Sequence, residues 1–121
     1  MKVESYKDLQ VWQKAMGLVK LVYEIIAQLP QEEKYALADQ MRRSVISIPS
    51  NIAEGYERNS TKDYIRFLSI ANGSKAELNT QLEICKMLGY KGDIEIAQSL
   101  CNEIGKMINA IIKKLTLSPN P

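Results

Sequence analysis

Residues 40–58 read QMRRSVISIPSNIAEGYER. Met41, Val45, Ile48, Ile52 and Tyr56 recur at spacings of 4, 3, 4 and 4, with Leu37 one turn earlier. That spacing marks one face of an α-helix. Beside this apolar stripe runs a second row, Gln40, Ser44, Ser47, Asn51 and Gly55. Small and polar side chains at helical spacing let a neighbouring backbone come close and bond across the contact. Pro49 stands inside the pattern. Its missing amide leaves the Val45 carbonyl without its usual partner, at a cost of about 3 kcal/mol in an exposed helix. Ser47, Ser50 and Asn51 carry donors placed to serve freed carbonyls. The stretch predicts a helix kinked at Pro49 and packed closely on a second helix, with two short helices meeting at Ile48–Pro49 as the alternative.

The flanking sequence has the same grammar. Upstream, Ser5 and Asp8 form a capping box. Two stripes then run side by side: Leu9, Trp12, Met16, Val19, Tyr23, Ile26, and Val11, Ala15, Leu18, Val22, Ile25, Leu29. One stripe suffices for a bundle seam, whereas two make a wide apolar face that needs two neighbouring helices or another subunit. Pro30 ends this helix, and Glu32 and Glu33 suit the first turn of the next, where helix amides favour negative charge. Downstream, Ser60 and Asp63 form a second capping box before the seam Tyr64, Phe67, Ala71, Ser74, Leu78, Leu82, Cys85, Leu88. Gly73 in a helix interior costs about 1 kcal/mol relative to Ala, which a close helix crossing there would explain. Gly89 suits a left-handed C-cap. Asp93 can cap a fourth helix whose seam is Ile94, Ala97, Cys101, Ile104, Ile108, Ile111 and Leu115, with Lys113 and Lys114 in its last turn and residues 118–121 as a frayed tail.

These patterns predict helices over about 6–29, 32–57, 61–88 and 93–116 within one domain, 1–121. No segment has strand period. Short turns between long helices make an all-α, antiparallel up-down-up-down four-helix bundle the expected architecture.

Composition narrows the chemistry. The 121 residues carry 16 Lys and Arg against 14 Asp and Glu, a net charge of +2. Residues 1–30, 31–60, 61–90 and 91–121 contribute +1, −1, +1 and +1. A dedicated nucleic-acid binder usually shows a basic run; here any basic surface must be assembled by folding or symmetry. The chain has no histidine. Ser-His and Cys-His nucleophiles and the Glu-x-x-His pairs of di-iron bundles are therefore excluded. Phosphate-binding loops of the GxxxxGK[ST] and GxGxxG types are missing too. The expectation is a non-enzymatic protein with no cofactor, metal or small-molecule substrate. Cys85 and Cys101 sit at apolar helix positions and read as reduced core residues. With no leader and no membrane-length apolar run, a cytoplasmic protein is expected.

Arg42 and Arg43 point about 100° apart on their helix. Local pairing of Asp39 with Arg43 and of Glu54 with Arg58, both at i,i+4, accounts for them in the simplest way. The alternatives are a pair with Glu54 across helices or subunits, or phosphate binding. Within one helix Arg43 and Glu54 share a face about 16 Å apart, so their direct contact needs another chain or a sharp bend. Arg58, Lys62 and Arg66 complete the candidate nucleic-acid or subunit contacts.

LQVWQKA (9–15), QMRRS (40–44), SIPSNIAEG (47–55), Arg58, ANGSKAEL (71–78) and LGY (88–90) together resemble the bacterial four-helix-bundle family of 23S ribosomal RNA intervening-sequence proteins. The resemblance covers about residues 6–90, with the fourth helix similar in character only. Pro49, Asn51, Glu54 and Gly55 belong to its most specific string. The family also looks similar to the accessory protein of diversity-generating retroelements, which binds nucleic acid and a reverse transcriptase. The resemblance implies an antiparallel bundle, a homopentameric ring and an RNA- or ribonucleoprotein-related role. A scaffold with a polypeptide partner is the alternative function.

Overall fold

The Ser5 hydroxyl accepts from the Lys7 amide at 3.1 Å, while the Asp8 carboxylate accepts from the amides of Ser5 and Glu4 at 3.2 and 2.9 Å. The capping box thus forms, but it closes a single 3-10 turn, Tyr6–Asp8. Leu9 is extended, with ψ of 125°, and the first α-helix starts only at Gln10. In the computed structural model, which describes residues 2–117, four α-helices follow: α1 Gln10–Ile26, α2 Leu37–Tyr56, α3 Thr61–Met87 and α4 Ile94–Thr116. The tail expected at 118–121 lies outside the described residues.

The last two helices match their expected bounds to within a residue, whereas the first two are shorter than expected. After Ile26 the amides of Gln28 and Leu29 turn to the carbonyls of Ile25 and Ile26. These tight turns unwind the chain ahead of Pro30, whose ring holds the backbone extended. Glu32 and Glu33 occupy a 3-10 turn, Gln31–Glu33, rather than a helix. Ala36 then leaves the helical region at φ −121° and ψ −98°, so α2 begins at Leu37.

Each helix packs on its chain neighbours, and α1 also packs on α4. Contacts fix the direction of each pair. Met41 meets Cys85, Ser47 meets Ser74, and Gly55 meets Phe67, so α2 and α3 run antiparallel. Lys86 reaches Glu95, and Asn72 bonds Asn109, so α3 and α4 do the same. Lys14 pairs with Glu103 at one end of α1, and Ile25 touches Gly92 at the other.

The core is built from the seams expected for α2, α3 and α4, except Leu88, which lies past the end of α3 and is 50% exposed; α1 adds its second stripe together with Ile26 of the first. Val11, Ala15, Leu18, Val22 and Ile25 are buried, whereas Met16 and Tyr23 of the other stripe remain about 40% exposed and Trp12 and Val19 half-buried. Both cysteines are buried and unpaired.

Gly89 adopts φ +74° and ends α3, its neighbour Tyr90 donating to the Cys85 carbonyl. The other capping expectations need correction. Ser60 accepts from the Asp63 amide, but the Asp63 carboxylate turns to Arg66 instead of back to the cap. Asp93 precedes α4 without a side-chain capping bond.

Candidate interaction surface

α2 passes through Pro49 as one unbroken helix, so the two-helix alternative is set aside. The neighbouring donors do turn inward, but toward other carbonyls than expected. Ser50 donates to the Ile46 carbonyl and Asn51 to the Ser47 carbonyl, both at 2.8 Å; neither serves Val45. Ser47 is the junction, its hydroxyl accepting from Asn51 at 2.9 Å and meeting the Ser74 hydroxyl at 2.8 Å. Ser44 is buried and bonds the Gln40 carbonyl. At the end of the same row, a side chain on Gly55 would sit 2.7 Å from the Phe67 Cβ. Ser47 and Gly55 of the small-polar row therefore meet α3, while Ser44 and Asn51 bond within α2 and Gln40 stays exposed.

The candidate cations separate into two groups. Arg58 bonds Glu54 at 2.6 Å, as expected, and lies 4.7 Å from the centre of the Phe67 ring. Arg66 lies 4.6 Å from that ring and 3.8 Å from Asp63. Lys62 is exposed beside them. Glu54 and Asp63 pair with Arg58 and Arg66, and the stretch from Glu54 to Arg66 holds three cations and three carboxylates, so it carries no net charge. Exposed pairs of this kind stabilise by only about 0.5 kcal/mol, but they do neutralise the surface.

Toward the other end of α2, Asp39 pairs with Arg42 at 3.6 Å, not with Arg43. At i,i+3 Arg42 lies on the side of the helix that Asp39 faces, alongside Lys34 and Pro30 in a shallow hollow. Arg43 is exposed, with no anionic partner among the described residues. About 22 Å of helix separates it from Arg58, so folding does not gather the five cations.

What folding does gather is apolar. Trp12, Met16 and Val19 of α1 line a groove with Ile46, Pro49 and Ala53 of α2. Tyr6 closes its lower end, edge-on to Trp12 with ring centres 5.4 Å apart. Met16 is 43% and Ile46 44% exposed. The double stripe on α1 was the sequence signal for this face; the contribution of Ile46, Pro49 and Ala53 was not singled out, because only packing reveals which flank of α2 adjoins α1.

Four groups are shifted, all of them upward. Burial pushes the Cys101 thiol up to about 11, partly opposed by Lys75, and Cys85 is raised for the same reason. Neither offers a thiolate nucleophile. Burial, helped by Tyr56, also raises Tyr64. Tyr90 is pushed up to about 12 by its 2.6 Å bond to the Glu33 carboxylate. Among the described residues no group of three His, Cys, Asp or Glu converges as a metal site requires, and no helix is long and apolar enough to cross a membrane.

Residues 7–110 match the 23S rRNA-intervening sequence protein family. The chain belongs to that family. A solved structure, that of a protein with unknown function from the S23 ribosomal protein family of Bacteroides thetaiotaomicron, is 28% identical. The match covers 85% of this chain and 98% of that one, with a TM-score of 0.78. No curated protein matches the chain significantly. The family match runs well beyond residue 90, so the fourth helix belongs to it as well as the motif-bearing part.

Proposed function

We propose that this intervening-sequence family member is a non-enzymatic, self-associating helical scaffold whose α1–α2 groove is covered by another copy of the chain. The observation that carries the reading is the exposed groove itself. Six apolar side chains line it, Met16 and Ile46 exposed, Trp12, Val19 and Ala53 half-buried and Pro49 beneath them, whereas scattered single exposures are normal on any protein. Arg43 in the first turns of α2 and Glu57 just past its end are both exposed, and such charges of opposite sign can orient a charged partner. A ring of five copies, the assembly implied by the resemblance, is the expected form.

Static light scattering tests this directly. The expected mass is several times the 13.7 kDa of one chain, and Ile46→Glu, which places a charge in the groove, is expected to return it to that of one chain. A wild-type mass of one chain at micromolar concentration overturns the reading.

A second reading, an RNA-associated module in the cytoplasm, is favoured by the family's description and by the unpaired cations Arg43 and Lys62. Five chains of net charge +2 give a ring about +10, on which symmetry can gather basic residues along one rim. It predicts binding to structured RNA at about 50 mM salt that falls steeply as salt rises; no binding, or salt-independent binding, rules it out. The neutral Arg58–Lys62–Arg66 corner places the scaffold reading first.

A further inference from the structure

Counted in quarters the chain shows no basic run, yet charge separates along its first and last helices. Asp93, Glu95 and Glu103 all precede the midpoint of α4, whereas Ile104 to Leu117 carry Lys106, Lys113 and Lys114 and no carboxylate. The turn before α1 adds Lys7, and α1 itself holds no carboxylate before Glu24. These two helices are antiparallel neighbours, with Lys14 paired to Glu103 at 3.1 Å and Ile25 touching Gly92 further along. The lysine-bearing half of α4 therefore lies beside the start of α1.

Lys7, Lys106, Lys113 and Lys114 are exposed, and none has a side-chain hydrogen-bonding or ionic partner among the described residues. The acids nearest in sequence are occupied: Glu103 by Lys14, and Asp8 by the amides of Ser5 and Glu4. Glu4 is the exposed acid left ahead of Lys7. Lys113 and Lys114 also suit the negative end of α4, but that effect fades beyond the last turn. Lys106 and Lys7 lie outside its reach.

The shape and chemistry of this face select a partner. Gln10, Gln13 and Lys14 line a shallow hollow of about 380 Å³, and nothing lies within 4 Å of where a Cβ on Gly17 would be, one turn along α1. Trp12 faces α2 instead, so this side has no aromatic platform of the kind that single-stranded bases stack on. Lysine is depleted in protein–protein contacts, whereas lysines and side-chain amides are what hold phosphates. We propose that the α1–α4 face seats the phosphodiester backbone of a double-stranded nucleic acid on Lys7, Lys106, Lys113 and Lys114, without reading its sequence. The inference rests on the RNA-associated reading and gives it a surface other than Arg43 and Lys62. This face is on the α4 side of α1, away from the groove, so a copy covering the groove leaves it open.

Fluorescence anisotropy with labelled duplexes of RNA and of DNA, each of about 20 base pairs, tests the face from about 50 mM salt upward. The double variant Lys106→Gln/Lys113→Gln is expected to bind about tenfold more weakly and to flatten the slope of log affinity against log salt by about 2. Its circular dichroism should match the wild type, because both residues are exposed. Lys34→Gln/Lys91→Gln, the same change of charge at the other end of the bundle, should alter binding by less than about twofold. A preference for the RNA duplex, or none between the two, supports the face within the RNA-associated reading. Binding of DNA alone overturns that reading and keeps the face. No binding of either duplex by the wild type overturns both. Binding that survives Lys106→Gln/Lys113→Gln, or falls equally in Lys34→Gln/Lys91→Gln, overturns the face alone. Polyglutamate bound as tightly as the duplexes makes the partner an acidic polypeptide and overturns the nucleic-acid occupant.

Discussion

Two glycines show how differently one residue type is constrained within the bundle. At Gly55 an added Cβ would meet the Phe67 Cβ at 2.7 Å and the Tyr64 carbonyl oxygen at 3.2 Å. Both belong to rigid parts of α3, so α2 would have to move away. At Gly17 nothing lies within 4 Å, and alanine is the better helix former by about 1 kcal/mol. Gly55→Ala is expected to lower stability by a net ~1–2 kcal/mol, overpacking outweighing propensity. Gly17→Ala is expected to raise it by about 0.5–1 kcal/mol. Denaturant midpoints of the two variants should move in opposite directions; a shift of the same sign would show that the α2–α3 approach is looser than described. The same logic applies to Ser47. Its hydroxyl joins Asn51 and Ser74, so its removal takes the Ser74 hydroxyl's partner, while Asn51 keeps its bond to the Ser47 carbonyl.

At the scale of elements, the connections are held by long-range tethers. Tyr90, just past α3, donates to Glu33 in the turn before α2 at 2.6 Å, tying the two connections at that end together. The bond favours the neutral phenol and raises its pKa from 10.0 to about 12. The folded state therefore holds this proton where the unfolded state has lost it. The stabilisation is complete below pH 10 and disappears as pH rises from 10 toward 12. Cys101 and Tyr64 are also raised and decline over neighbouring ranges, so the informative quantity is a difference. Tyr90→Phe should lose less stability than the wild type between pH 10 and 12 in urea titrations, and parallel curves would refute the tether. None of this was visible in the sequence, where Glu33 reads as a helix first-turn residue. The heptads of α3 and α4 were legible because each has one apolar stripe and one possible inward side. On α1, two stripes of equal quality left the inward side undecided until its neighbours were placed. The capping box at Ser5 was legible too, but such a box satisfies amides equally well over one 3-10 turn as at the start of a long helix.

On the scale of the whole molecule, the two functional readings make opposite demands on salt. A scaffold assembled through the apolar groove would draw its affinity from surface removed from water, to which exposed charges would add selection of orientation more than strength. Exposed charges are largely screened beyond about 10 Å at 0.1 M salt, and each exposed pair is worth little on its own. Under the scaffold reading, assembly is therefore expected to persist from about 50 mM to 500 mM salt, with apolar burial holding it when exposed charges are screened. RNA binding would behave otherwise. Its affinity comes from released counterions, and a contact with six or more phosphates loses about a thousandfold or more between 50 and 200 mM salt. Light scattering and RNA retention, followed through one salt titration of the wild-type protein, distinguish the two. Constant mass with no RNA retained at any salt is the outcome expected of a scaffold. Retention that vanishes on that slope while the mass holds would place a nucleic-acid surface on an assembled ring. A mass that collapses over the same range would mean that charge, not the Trp12–Ile46 groove, holds the copies together.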